Sequence, residues 1–159
     1  MSLLHFVEKW MHPDSPPVLV LEEDLLTAEN QLGIRFPEEY RRAVLNVGLL
    51  WPTIDLLSAI VERELDLHCL NDMYSPRDIV QQTLSWREIG MPDSLVAFAS
   101  DESGNKFCFS TEKSEYGGDS SRKIWLFDHD FDSVEYIAPG FDVWIDAFCS
   151  IEPVDEDMA

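Results

Sequence analysis

Residues 95–110 read LVAFASDESGNKFCFS and residues 123–138 read KIWLFDHDFDSVEYIA. In each, two apolar runs rich in aromatic residues flank a five-residue polar break, the pattern of a β-hairpin. Asp101-Glu102-Ser103-Gly104-Asn105 forms the first loop, with Gly104 available for a positive φ, and His129-Asp130-Phe131-Asp132-Ser133 forms the second. Strands are therefore expected over 95–100, 106–110, 123–128 and 134–138. Phe107 and Phe109 oppose Cys108 across the pleat, and Trp125 and Phe127 oppose Ile124 and Leu126. Apolar residues on both faces imply a sheet covered, at least in part, on both sides. The link from Thr111 to Arg122 is polar, contains Gly117-Gly118, and reads as a mobile loop. Alternate turns of an up-and-down meander lie at one end of the sheet. The two tight loops should then converge and bring Asp101, Glu102, Asp128, Asp130 and Asp132 to one rim.

Working outward, Pro139-Gly140 leads into Phe141, Trp144, Ile145 and Phe148, spaced i, i+3, i+4, i+7 as the apolar stripe of a helix. Upstream, Ser75-Pro76-Arg77-Asp78 supplies a cap, a first-turn proline and an acid three residues on, so a helix should run from there to about Ile89. Pro37 suits the first position of a helix reaching Val47, with Tyr40, Ala43, Val44 and Val47 on its buried face. A helix over 22–32 should bury Leu21, Leu25, Leu26, Ala28 and Leu32, and another over 3–11 should bury Leu3, Phe6, Val7 and Trp10. Between the helix that reaches Val47 and the one that starts at Ser75, DLLSAIVERELDLHCL at 55–70 begins with helical spacing and ends with alternation, which predicts a strand near Leu65–Leu70. The fold class is α+β: a central, mainly antiparallel meander flanked by N-terminal and C-terminal helices. Residues 1–150 make one domain, followed by a frayed acidic tail over 151–159.

Of 159 residues, 45% are hydrophobic and 11% aromatic, enough for a substantial core without cross-links. Cys69, Cys108 and Cys149 are odd in number, widely spaced and set in apolar sequence, which fits reduced, buried thiols of a cytoplasmic protein. No apolar run approaches the length of a membrane span, and MSLLHFVEKWMHPD lacks the basic start and cleavage site of a signal peptide. Thirty-one acids against eleven bases give a formal net charge of −20. Such a surface repels nucleic acid and anionic membranes and speeds association with basic partners, although acidity also serves plain solubility.

The catalytic templates fail. Asp128-x-Asp130-x-Asp132 matches the opening of a calcium loop, but Ser133 stands where Gly is needed and Pro139 where Glu is needed. A looser carboxylate site for Mg²⁺ or Ca²⁺ stays open, whereas clustered acids are ordinarily just solvated. His129-Asp130 resembles the pair of metal-dependent phosphohydrolases, yet it falls in a loop, and a lone loop histidine is ordinarily exposed. No serine sits in a nucleophile elbow, and no glycine loop has the residues that cradle phosphate. No metal centre, cofactor or catalytic residue is expected.

Three ordered patterns carry a resemblance. Glu29-x-x-Leu32-Gly33-Ile34-x-Phe36-Pro37-x-x-Tyr40 leads to Leu45-Asn46-Val47-Gly48. Then come Phe98-Ala99-Ser100-Asp101-x-x-Gly104-Asn105-x-Phe107-Cys108-Phe109 and, last, Trp125-x-Phe127-Asp128-His129-Asp130 with Tyr136-Ile137-Ala138 and Phe141-x-x-Trp144-Ile145. Over about residues 22–148 they resemble the SUKH superfamily, of the yeast cell-wall-assembly regulator type. The chain departs from it at Asn46-Val47-Gly48, where the family often has Asn-Gly-Gly. The resemblance implies an α+β domain without catalysis. Bacterial members are commonly immunity proteins that neutralise polymorphic toxins, and fungal members are regulatory or interaction proteins. The expected partner is thus a protein, such as a basic nuclease toxin, met through the rim of Asp101, Glu102, Asp128, Asp130 and Asp132. An intracellular regulatory or scaffold role without a toxin is the alternative.

Overall fold

Six helices and five strands form over the residues that the computed structural model describes, 2–111 and 123–154. In chain order they are α1 (Ser2–Trp10), α2 (Glu22–Leu32), α3 (Glu38–Asn46), α4 (Ile54–Glu62), β1 (Leu70–Met73), α5 (Pro76–Arg87), β2 (Leu95–Asp101), β3 (Lys106–Ser110), β4 (Ile124–Asp128), β5 (Ser133–Ala138) and α6 (Phe141–Cys149). The strands pair in sequence order, all antiparallel, as the expected meander. Helices flank this sheet, so the α+β class holds.

Pleat alternation divides the aromatic residues between two faces. Phe107 pairs with Leu126 and Phe109 with Ile124, while Cys108 pairs with Trp125 and Lys106 with Phe127. On the first face a register shift between Ala97 and Ala99 accommodates Phe98, whose ring stacks on Phe109 at 4.1 Å. Trp144 of α6 meets Phe107 at 4.8 Å and Phe98 at 5.4 Å, and Tyr40 of α3 meets Phe109 at 5.1 Å. Edge-on packing of this kind adds to the gain from burial alone. The second face takes α5: Trp86 lies against Phe127, and the Thr83 hydroxyl accepts the Ala97 N–H at 3.0 Å. The sheet is thus covered on both sides at β2 and β3. Coverage fades at β5, where Val134 and Tyr136 are exposed.

Helix signals fare unevenly. The Ser75 hydroxyl accepts the Asp78 N–H at 3.2 Å, as its cap position requires. All four residues of the α6 stripe are buried. Pro37 is the N-cap rather than the first helical residue, with φ −56° and ψ 144°. The buried stripe of α2 is narrower than expected: Leu25 and Ala28 are buried, whereas Leu21 and Leu26 are exposed. Glu29 takes their place inside, because its carboxylate has partners there. The strand expected at Leu65–Leu70 is displaced to Leu70–Met73, for a hydrogen-bonding reason. Only from Leu70 onward does the chain run alongside β2, with Leu70 opposite Asp101 and Met73 opposite Ala99. Alternation alone, without a neighbour, leaves Leu65 and Leu67 exposed.

The tail is held at its start: Arg63 Nε and Nη2 donate to the carbonyls of Glu152 and Pro153, and Ile151 is buried. The loop expected between Thr111 and Arg122 and the last five residues of the acidic tail lie outside the described residues. Cys69 and Cys108 are buried and Cys149 is half-buried. Among the described residues, no helix is long and apolar enough to cross a membrane.

Candidate functional site

The two tight loops do meet. Asn105 Oδ1, buried at the end of the first, accepts from His129 Nδ1 at 2.7 Å and from the His129 N–H at 3.4 Å. Since that oxygen is an acceptor, Nδ1 of His129 carries the proton. The other ring nitrogen lies 3.4 Å from Asp130, and the ring packs on Trp86 at 5.5 Å. His129 is thereby a clasp between hairpins and α5, which accounts for a His-Asp pair with no catalytic context.

Within this junction the five acids do different jobs. Asp101 is 2% exposed, and its Oδ1 accepts the N–H groups of Ser103 and Asn105 at 2.9 and 2.8 Å. It holds the loop from inside and presents no carboxylate to the outside. Asp128 does the same for the second loop, accepting from Asp130 N at 2.9 Å and Phe131 N at 3.4 Å. These are side-chain-to-backbone turns of the kind that short acids favour. Glu102 is exposed, but one oxygen accepts the Cys69 N–H at 2.8 Å. Asp130 and Asp132 are exposed, and Asp132 adopts the left-handed conformation at φ 50°, which Asp tolerates better than most residues. A Cβ on Gly90 would stand 3.1 Å from Asp132 Oδ1, so this loop abuts the end of α5. The rim therefore has two ends: Asp101 and Glu102 by the segment preceding β1, Asp130 and Asp132 by the segment following α5.

Between Asp130 and Asp132 stands Phe131, 80% exposed. It is the most exposed large apolar side chain among the described residues, carried on a loop pinned by Asp128 and His129. Aromatic spacing gave no sign of it, because nothing in a hairpin pattern tells a solvent-facing loop Phe from a core one. His68 also escaped the sequence reading. Its Nδ1 lies 3.5 Å from Asp101 Oδ2 and its Nε2 2.9 Å from Glu135 Oε2, contacts that span 33 and 67 positions of chain. No local spacing could reveal them.

Burial holds the three thiols in their less reactive form. Burial, then Glu102 and Asp101, pushes the Cys69 thiol up to about 12. Burial likewise raises Cys108 and Cys149 above the ordinary thiol value. Thiolate is the reactive form, so none of the three is primed at neutral pH. Ser100 is buried, and Ser103 uses its N–H on Asp101 within the loop. Lys106 is buried too: its Nζ donates to the Tyr74 hydroxyl at 2.6 Å and sits 5.3 Å from the Trp86 ring centre, and burial lowers its pKa.

The three resemblance motifs now have physical content. Glu29 joins α2 to the turn before α3, Asp101 and Asn105 build the first loop, and Asp128 and His129 build the second. No curated protein matches the chain. Residues 19–147 match the model of the SMI1 / KNR4 family (SUKH-1), and the chain belongs to that family.

Proposed function

We propose that this protein is a binding protein of the immunity type, which neutralises a cognate toxin by docking on it and performs no chemistry of its own. The carrying observation is Phe131, 80% exposed between two acidic side chains on a loop fixed by its own hydrogen bonds. A rigid aromatic at the centre with charges around it is the arrangement of an interface hot spot. The net charge of −20 supports a basic partner, for which a nuclease toxin domain is the natural candidate. Membership of a family whose bacterial members are commonly immunity proteins supports the same reading. Glu102, Asp130 and Asp132 would supply the outward charge, with Asp101 and Asp128 holding the loops that display it.

The test is recovery of the partner from the protein's own cells, followed by binding kinetics on the purified pair. Phe131→Ala should cost at least about 2 kcal/mol of affinity, roughly 30-fold, as hot-spot truncations do. Lys at 102, 130 and 132 together should slow association and flatten its salt dependence. Unchanged kinetics in both variants would remove the rim from the interface. A partner without toxin activity would favour the regulatory or scaffold role instead.

A further inference from the structure

We propose that His68, Asp101 and Glu102 form a site for a transition-metal dication of the Zn²⁺ class. One ligand atom from each lies within 4.8 Å of the other two. His68 Nδ1 and Asp101 Oδ2 are 3.5 Å apart, close to the edge of about 3.4 Å that a tetrahedron of ordinary Zn–N and Zn–O bonds requires.

Acidic clusters alone say little, and two independent features single this one out. Asp101 Oδ2 is buried and has no hydrogen-bond partner, although Oδ1 of the same carboxylate is doubly satisfied. A buried carboxylate oxygen left without a donor is costly, and this one is aimed at His68. The second feature is Glu135. Its carboxylate lies 2.9 Å from His68 Nε2 and places the proton on that nitrogen. With Nε2 engaged by Glu135, Nδ1 is the ring nitrogen directed at Asp101 Oδ2, and a cation bound between them would be held by both. Carboxylate–histidine–metal is the ordinary outer arrangement of such sites. Glu102, steadied by the Cys69 N–H, provides the third ligand, and its exposure leaves a fourth position to water. An imidazole nitrogen among carboxylates favours zinc over calcium or magnesium, which prefer all-oxygen shells. Bound metal would tie the segment before β1 to the β2–β3 loop.

The experiment is calorimetry of chelator-stripped protein with ZnCl₂, CaCl₂ and MgCl₂, with thermal denaturation in parallel. Zn²⁺ should bind once per chain at micromolar concentration or below and raise Tm, while Ca²⁺ and Mg²⁺ do neither. His68→Gln, at a half-exposed position, should weaken Zn²⁺ at least tenfold. Asp101→Asn should do the same while keeping the Oδ1 acceptor of the loop. Glu135→Gln, acting through His68, should weaken Zn²⁺ about 10–100-fold. Zn²⁺ affinity unchanged in His68→Gln would assign binding to other histidines and overturn the site. So would no Zn²⁺ binding below millimolar, or equal binding of Ca²⁺.

Discussion

Glu29→Ala should be among the most destabilising single substitutions outside the aromatic core. Glu29 Oε1 receives Arg41 Nη1 at 2.6 Å, and its Oε2 receives the Phe36 N–H at 2.7 Å. Both side chains are nearly closed to solvent, at 11% for Arg41 and 8% for Glu29. The other acid near Arg41 is Glu22, at 3.7 Å and 69% exposed, too solvated to replace the lost partner. Truncation therefore strands a buried guanidinium, at about 3–5 kcal/mol, and leaves a buried backbone donor unmade. For a domain of this size that is a fall of roughly 6–20 °C in Tm. Glu29→Gln keeps an oxygen for Phe36 and should cost less. Glu29→Leu combined with Arg41→Met removes both charges and should recover most of the loss, since an apolar replacement of a buried pair is often neutral. Urea unfolding of the three variants beside the parent protein measures this. A cost below about 1 kcal/mol for Glu29→Ala, or a double variant no better than the single, would refute the account, because charge burial could not then be the cause.

Two further outcomes follow from the packing and the titrating groups. Stability should fall as pH climbs above 9. The Cys69 thiol is raised from 9.0 to about 12, the Tyr74 hydroxyl from 10.0 to about 12, and Cys108 and Tyr40 move in the same direction, all chiefly through burial. The folded state keeps these protons where the unfolded chain gives them up, so their stabilisation is complete below pH 9 and is lost as pH rises through the window to about 12. Each contributes a slope of about 1.4 kcal/mol per pH unit. Lys106, with its lowered pKa, works against them with a single proton. Urea midpoints from pH 8 to 11 should decline, and Cys108→Ala should flatten the decline. Separately, Gly48→Ala should destabilise by more than about 1 kcal/mol in the same assay. Gly48 has φ 124°, and a Cβ there would stand 2.7 Å from the Val18 carbonyl carbon, where Leu49 N donates to Val18 O.

What was legible in the chain was whatever rests on periodicity and turn chemistry. The two hairpins, the α6 stripe and the Ser75 cap depend on residues within a few positions of one another, and the convergence of the two loops follows from the meander they build. What was not legible depended on partners far away. Leu65–Leu70 alternates as a strand should, but pairing begins only at Leu70, where β2 lies alongside. Leu21 and Leu26 look like core and are not, because Glu29 is drawn inside by Arg41 and the Phe36 N–H. In sequence the five carboxylates of the rim look alike, whereas Asp101 and Asp128 are spent on backbone donors. His68 joined the site through contacts with Asp101 and Glu135 that no spacing encodes.

The first helix lies outside the family match yet is bound tightly to the last one. Trp10 Nε1 donates to the Phe148 carbonyl at 2.9 Å, Lys9 Nζ to the Cys149 carbonyl at 2.9 Å, and the rings of Phe6 and Phe148 meet edge-on at 6.1 Å. These contacts close a loop of nearly the whole chain, so none can form on the ribosome until α6 has been made and released. Until α6 emerges, the apolar faces of α1 and of β2 and β3 lack its cover. A nascent chain arrested before Phe141 would thus be a natural client for chaperones, because the contacts that hold α1 wait for α6.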